Sequence, residues 1–369
     1  MTVNQSKKKL HIVHTESSLG WGGQEIRILS EARGFIERGH RLTILTPSTS
    51  NIYHAAIKAG IETVALPIDK KRLKGVFAIR QWLQQNKPDV VVTHSSTDSW
   101  LVALSQWFGA KTPMVRTRHL SASVPDNRAS RWLYSKASAH VATTGESIRQ
   151  ALIDHVHVDP DNVTAVPTGI DAQHFVPGDK KLNKESLGLP GATLLIGIVA
   201  TIRSWKGHQY LVEALSKIKH DNVHLLVVGD GPARKALEQR IKELDLTDRV
   251  IMAGQQENVL PWLQAMDIFV LPSYANEGVP QALLQAMLTE KAIITTDAGS
   301  ISEAVENQQS ALIVDKKSSD AIAEALELLI GDPALAERLG KQARLSAAAE
   351  HGFDSMLDKM EKIFYKVVK

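Results

Sequence analysis

Glu277 is the acidic residue whose neighbours in the sequence point most directly to chemistry. It closes a polar loop, Ser273–Glu277, that follows a short β-branched run, Ile268–Leu271, and Pro272. Gly278, Val279 and Pro280 come next, then Q-A-L-L-Q-A-M, in which Ala282, Leu283, Ala286 and Met287 share one helical face. The pattern predicts a buried strand, a loop turned at Gly278 and a helix with Pro280 at its first position. The positive end of that helix would face a crevice with Glu277 at its mouth and Gln285 further along. Such an end binds anions, phosphates in particular, although the same geometry also opens helices that bind nothing.

Other residues offer matching chemistry. In V-A-T-I-R-S-W-K-G, Arg203 and Lys206 follow directly on the strand Leu194–Ala200. Two cations at a strand end neutralise a diphosphate, each charge-assisted bond contributing about 1.5–3 kcal/mol; an exposed basic loop is the other reading. His119 stands at the end of the strand Pro113–Arg118, in V-R-T-R-H-L. Arg116 and Arg118 share one side of that strand and are candidates for acceptor or phosphate contacts. Gly20, Gly22 and Gly23 lie between the first strand and first helix, where backbone N–H groups could approach a phosphate or simply turn the chain. The spacing is not G-x-G-x-x-G, and Thr46-Pro47 stands where a ribose-binding acid would close strand two, which disfavours a nicotinamide cofactor. Gly229 and Gly231 form a second strand-end turn, V-G-D-G-P.

No metal and no cofactor are expected. Asp159-Pro160-Asp161 matches an Asp-x-Asp metal pair formally but sits in a polar turn. The fourteen histidines show no H-E-x-x-H spacing, and there is no cysteine for metal ligation, disulfides or thiol catalysis. Cations and a helix end would neutralise the diphosphate instead.

The elements that must position these residues alternate. Strands are predicted at Leu10–His14, Arg41–Thr46, Glu62–Leu66, Val90–Thr93, Pro113–Arg118, His140–Thr143 and Val163–Val166, with helices such as 24–38, 99–108 and 146–154 between them. After the polar stretch 178–190 a second alternation follows, with strands at Leu194–Ala200, His224–Val228, Val250–Met252, Ile268–Leu271, Ala292–Thr295 and Ala311–Val314. Helices 319–330 and 333–350 close it. Two doubly wound parallel α/β sheets are implied, with ligands outside the carboxyl ends of the strands. The expected division is 1–175 and 176–352, with the amphipathic segment 353–369 returning to the first domain.

A chain of 369 residues, 43% hydrophobic and 22% charged, can bury two such cores. No apolar run reaches the roughly 18–20 residues of a bilayer span, and the apolar run after the basic N-terminus M-T-V-N-Q-S-K-K-K is too short for a signal peptide. The net charge of +3 divides into +7 over residues 1–175 and −4 over the rest. A basic first half suits an anionic partner or a solvated surface. Lys70, Lys71, Arg72 and Lys74 lead into an amphipathic segment that could rest on an anionic membrane or pack as an ordinary helix.

E-G-V-P, with an amide eight residues after the Glu and then A-M, resembles the signature of the family 4 retaining glycosyltransferases, nucleotide-sugar enzymes of the GT-B fold. That fold has two Rossmann-like doubly wound parallel-sheet domains facing a central cleft. W-G-G-Q-E resembles the family's glycine loop, and Lys206-Gly207 its Lys-Gly step. The resemblance implies that Glu277 and His119 contact the donor sugar at the reacting centre, Glu277 stabilising developing positive charge. It implies donor binding by Gly22, Gly23, Arg203, Lys206, Gly231, Gly278, Val279, Pro280 and Gln285. Two positions depart from the pattern: Gln285 replaces a Glu that holds ribose hydroxyls, and Thr201 replaces an Arg. An amide oxygen still accepts from a hydroxyl at a cost of about 1 kcal/mol, roughly tenfold in affinity. It cannot act as a nucleophile.

The implied reaction moves a sugar from a nucleoside diphosphate, UDP in preference to GDP, to a hydroxyl of a cell-surface glycan or lipid-linked acceptor, with retention and without a metal. The expected setting is lipopolysaccharide or polysaccharide synthesis in the cytoplasm, with peripheral contact at the inner membrane face through the basic N-terminal half and no nucleic-acid partner. A sugar-nucleotide epimerase of the same architecture and a non-catalytic nucleotide-sugar binding protein are the alternatives.

Overall fold

The computed structural model describes residues 8–107 and 111–368. Most of the basic N-terminal leader and Phe108, at the end of one predicted helix, lie outside them. Two compact units divide the chain. The first comprises the N-terminal part to His119, then Ser123–Val166 and the C-terminal segment from Met356. The second comprises Leu120–Ala122 and Pro167–Ser355.

The first unit is built on seven strands: β1 (His11–Thr15), β2 (Arg41–Thr46), β3 (Glu62–Ala65), β4 (Val90–Thr93), β5 (Met114–Arg118), β6 (His140–Thr143) and β7 (Val163–Ala165). All pair in parallel, in the order β3-β2-β1-β4-β5-β6-β7. Short Val- and Ile-rich runs suit central strands covered on both faces, and Ile12, Val13, Ile44, Val91, Val92, Val115 and Val141 are fully buried. The C-terminal helix Phe353–Val367 belongs to this unit from Met356 onward. Phe364 packs against Phe35 with ring centroids 5.3 Å apart, Glu361 Oε1 pairs with His40 Nε2 at 2.9 Å, and Asp358 pairs with Arg38 at 2.6 Å.

The second unit has six parallel strands: β8 (Leu194–Val199), β9 (Val223–Val228), β10 (Val250–Gly254), β11 (Ile268–Leu271), β12 (Ala292–Thr295) and β13 (Leu312–Ile313). Their order is β10-β9-β8-β11-β12-β13. The polar stretch 178–190 carries a short helix, Lys180–Ser186, capped by Asp179 accepting from Leu182 N at 3.0 Å. Lys180 and Lys184 both bind Asp267, at 2.7 and 3.0 Å, and Asp267 also accepts from Leu195 N. The charged stretch is thereby fastened to the start of the central strands, and Asp267 is structural.

In each sheet the chain lays strands to one side, then returns past its first strand to extend the other side. The reversal falls between β1 and β4 in the first unit and between β8 and β11 in the second. At such a point two neighbouring strands send their following loops in opposite directions and leave a crevice at their carboxyl ends.

Candidate functional site

The predicted residues fall into two sets, one per unit, each at that reversal of strand order. In the second unit the loops after β8 and β11 start side by side and are tied together. Tyr274 N donates to Trp205 O at 2.8 Å. Gly207 adopts a left-handed φ of +76° while the carbonyl oxygen of Pro272 lies 2.1 Å from where its Cβ would sit. Only glycine permits both the conformation and the approach.

This contact sets Lys206 against Glu277. The lysine Nζ lies 2.7 Å from Glu277 Oε1 and 3.0 Å from Oε2, and the side chains are 19% and 6% exposed. The two expected ligand-binding charges are therefore partners of each other, not independent groups. A pair this far from water is strongly destabilised by losing one member, because the other is left as an uncompensated buried charge. His208, buried beside Lys206, adds no second cation: burial, helped by the lysine charge, lowers it to about 3.

The helix after the loop spans Gln281–Leu288, with Leu283, Leu284, Ala286, Met287 and Leu288 buried, so its apolar surface extends beyond a single stripe. Pro280 does not occupy the first helical position. It is the capping residue, with extended backbone at φ −74°, ψ 132°. The left-handed residue of the loop is Asn276, at φ 60°, and not Gly278; an Asn tolerates that region better than most side chains. Gly278, Val279 and Gln285 are buried. Arg203 is exposed, its guanidinium 5.1 Å from the centroid of the Trp205 ring. Gly231 lies where the loop after β9 meets that after β8, with the Ile202 carbonyl oxygen 2.5 Å from where a Cβ would be.

In the first unit Gly22 caps the helix Gly23–Glu37 with extended backbone, and its carbonyl accepts from Ile26 N at 3.1 Å. A Cβ at Gly23 would meet nothing within 4 Å, so the small residue is not there to relieve internal crowding. Beside this helix end lies Glu16, fully buried, whose carboxyl oxygens accept from Ser18 N at 2.7 Å and from the Gln24 side chain. Burial, with Asp98 and Glu25 nearby, pushes the Glu16 carboxyl up to about 8. Asp98, itself buried, accepts from Thr15 Oγ1, His94 N, Ser95 N and Ser99 N. Its carboxyl is also raised, burial outweighing these bonds.

His119 is half-buried at the end of β5 and does not act alone. Its Nε2 lies 3.0 Å from His94 Nδ1, and His94 Nε2 lies 2.8 Å from His14 Nδ1. His14 sits in β1 and His94 follows β4, so three neighbouring strands each deliver one imidazole to the same edge. Burial holds all three below the usual imidazole range, His14 at about 4. Arg116 is buried, 4.6 Å from the Tyr134 ring centroid, with Nη1 donating to Ser95 O at 3.4 Å. Arg118 is half-buried, and burial lowers its guanidinium.

Glu16, Asp98, His14 and His94 are the candidate site residues that motif reading misses. The signal for three of them was positional: V-H-T-E and V-T-H-S end neighbouring strands in polar residues that strand pairing then collects, while Asp98 lies in the first turn of the helix Ser96–Ser105 that follows β4. Asp159 accepts from Asp161 N at 2.9 Å within a turn, as its spacing suggested. Among the described residues no group of three or more His, Cys, Asp or Glu side chains could hold a metal ion.

Comparison with known proteins agrees with this architecture. Residues 21–174 match the family described as Glycosyltransferase Family 4, and residues 179–346 match Glycosyl transferases group 1. The chain is 25% identical over 313 residues to the UDP-Gal:alpha-D-GlcNAc-diphosphoundecaprenol alpha-1,3-galactosyltransferase of Escherichia coli, covering 81% of this chain and 80% of that one. It is 27% identical to the D-inositol 3-phosphate glycosyltransferase of Stackebrandtia nassauensis, over 89% and 82% of the two. Among solved structures, Anabaena HepE in complex with UDP-glucose superposes with a TM-score of 0.87 at 18% identity, covering 97% of this chain and 100% of HepE. A glycosyltransferase from Rickettsia africae gives 0.85 at 22% identity, covering 98% and 99%. The two Rossmann-like parallel-sheet units are those of the GT-B fold, and the matched family models make the chain a glycosyltransferase. The chain belongs to family 4 of those enzymes.

Glu16 generates a test of the first unit. Its folded value lies above the ordinary 4.5, so between pH 4.5 and 8 the folded chain keeps a proton that the unfolded chain has released. Stability therefore falls as pH rises through that window, and the raised Asp98 acts in the same sense. Glu16→Gln, which cannot ionise, is expected to flatten the fall and raise the melting temperature at pH 8 by roughly 3 °C or more. Equal pH slopes for the two proteins in thermal unfolding would overturn the assignment.

Proposed function

We propose that this glycosyltransferase retains anomeric configuration, takes its sugar from a nucleoside diphosphate, UDP in preference to GDP, and needs no metal ion. The acceptor is a hydroxyl of a lipid-linked or cell-surface glycan. The observation that carries the reading is the Lys206–Glu277 pair at the strand reversal, directly before a helix N-terminus. An ammonium group offers three N–H donors, so Lys206 can keep one on Glu277 and turn others toward a diphosphate. The N-terminus of the helix Gln281–Leu288 adds its own partial positive charge. Glu277, kept close by the lysine, supplies negative charge where the anomeric carbon becomes electron-poor.

In the proposed step the acceptor oxygen attacks the anomeric carbon on the face from which the diphosphate departs. The bond from that carbon to the diphosphate oxygen breaks, the bond to the acceptor oxygen forms, and a diphosphate oxygen takes the acceptor proton. Gln285 accepts from ribose hydroxyls, while Arg203, Gly231, Val279 and the backbone at Gly278 line the donor. In the first unit Gly22 and Gly23 serve the diphosphate, His119 contacts the donor sugar, and Arg116 and Arg118 serve the acceptor. Lys206 and the helix end stand in for the cation that many nucleotide-sugar enzymes use. UDP is supported by the ligand of HepE and by the donor in the E. coli relative's name, and a lipid-linked acceptor by the diphosphoundecaprenol of that name.

A peripheral membrane contact is part of the proposal. Leu73 and Phe77, one turn apart on the helix Leu73–Asn86, are 74% and 65% exposed. They follow Lys70, Lys71 and Arg72 and flank Lys74. An apolar pair set among cations matches an anionic bilayer surface.

Three outcomes are expected. Lys206→Ala weakens UDP binding at least tenfold, about 1.4 kcal/mol or more, whereas Glu277→Ala abolishes turnover; calorimetry showing unchanged UDP affinity in Lys206→Ala would sink the diphosphate site. Transfer survives excess chelator and yields the donor's anomer, so loss of activity on chelation, or an inverted product by NMR, refutes the metal-free retaining reading. Co-sedimentation with vesicles containing phosphatidylglycerol drops several-fold in a Leu73→Ser, Phe77→Ser double variant; no change in the bound fraction removes the membrane contact.

A further inference from the structure

The chain of three imidazoles constrains more than His119's position. His14 and His94 are buried, His119 half-buried. The first two rings stack at 5.0 Å and 14°, the second pair at 5.2 Å and 31°. The charged groups around them are Arg27 and Glu31 near His14, and Arg27, Arg116 and Arg118 near His119. Burial and this cationic surplus keep the rings neutral, and a neutral imidazole carries one N–H and one bare lone pair.

That restriction ties the three tautomers together. His94 uses both its nitrogens, so one donates and the other accepts. If Nδ1 carries its proton, it donates to His119 Nε2, which must be bare, and His94 Nε2 accepts from a proton on His14 Nδ1. If Nε2 carries the proton, every assignment reverses. All three rings are therefore protonated on Nδ1, or all three on Nε2. The ends of the chain decide between them. His14 Nε2 is buried and has no hydrogen-bond partner among the described residues. A buried N–H without an acceptor is the rarer arrangement in folded proteins, which selects protons on Nδ1 throughout and leaves His14 Nε2 as a bare lone pair.

We propose that His14 and His94 are positioning residues that hold His119 in its Nδ1–H tautomer, so that its free edge presents a hydrogen-bond donor. This runs against the preference of free imidazole for a proton on Nε2. The ligand served is an oxygen acceptor, a sugar hydroxyl or ring oxygen of the donor; that part rests on the glycosyltransferase reading above. The His94 link transmits the constraint and touches no substrate itself.

Nitrogen-15 NMR of histidine-labelled full-length protein at pH 7, without donor, reads the tautomers directly, and single His→Gln variants assign the signals. His14, His94 and His119 are expected as Nδ1–H, with His119 reverting toward Nε2–H in His94→Phe. An Nε2–H signal for His119 in the unaltered protein, or one unaffected by His94→Phe, overturns the proposal. In turnover assays His94→Phe is expected to lower kcat at least tenfold with donor KM changed less than about threefold. His94→Gln, which retains one donor and one acceptor, recovers most of the loss; equal loss in both variants also overturns it. Should His94→Phe fail to fold, His94→Gln alone decides, since it must keep His119 as Nδ1–H. The NMR result needs no substrate. An intact tautomer chain in a protein that transfers no sugar would therefore refute the function and leave the chain standing.

Discussion

The second unit is arranged around keeping Lys206 and Glu277 within bonding distance while largely sealing them from water. Either charge left there alone is strongly destabilising, and each is supplied by a different loop, after β8 and after β11. Everything that aligns those loops thereby serves the pair: the parallel register of the two strands, the Tyr274–Trp205 backbone bond, and the glycine that lets the Pro272 carbonyl come close. Lys206 is already oriented by its partner, so the proposed anion would leave little side-chain ordering to be done. The same pairing leaves the two side chains with no net charge between them.

The first unit solves a related problem without an ion pair. Its strand ends and the helix start after β4 gather two carboxyl groups, Glu16 and Asp98, and three imidazoles. Burial drives each toward its uncharged form, so the edge is rich in hydrogen-bonding atoms yet carries little net charge apart from the arginines of β5. Such a surface would discriminate among ligands by geometry and by the direction of its hydrogen bonds more than by charge.

Much of this was legible in the residues themselves. Arg41–Thr46, Val90–Thr93, His140–Thr143, Ile268–Leu271 and Ala292–Thr295 occur at the predicted bounds, because short Val/Ile/Leu-rich runs ended by polar or turn residues leave little freedom. Lys206 and Glu277 were identifiable from strand-end position and motif, but their mutual pairing was not, since it depends on which strands lie side by side. The histidine chain was hidden for the same reason: His14, His94 and His119 are 80 and 25 residues apart, and only the sheet order makes them neighbours. Pro280 and Gly278 were misplaced by a residue or two, where the choice between capping and helical geometry depends on packing around the loop.

The C-terminal helix carries a consequence for how the protein comes into being. Phe364, Glu361 and Asp358 complete a core whose other half, Phe35, His40 and Arg38, emerges first from the ribosome. The sequence of the second unit is interposed almost whole between those halves. A nascent chain can therefore finish its second Rossmann unit while its first still lacks the helix Phe353–Val367, and that early half must carry an open apolar seam until the helix has been made.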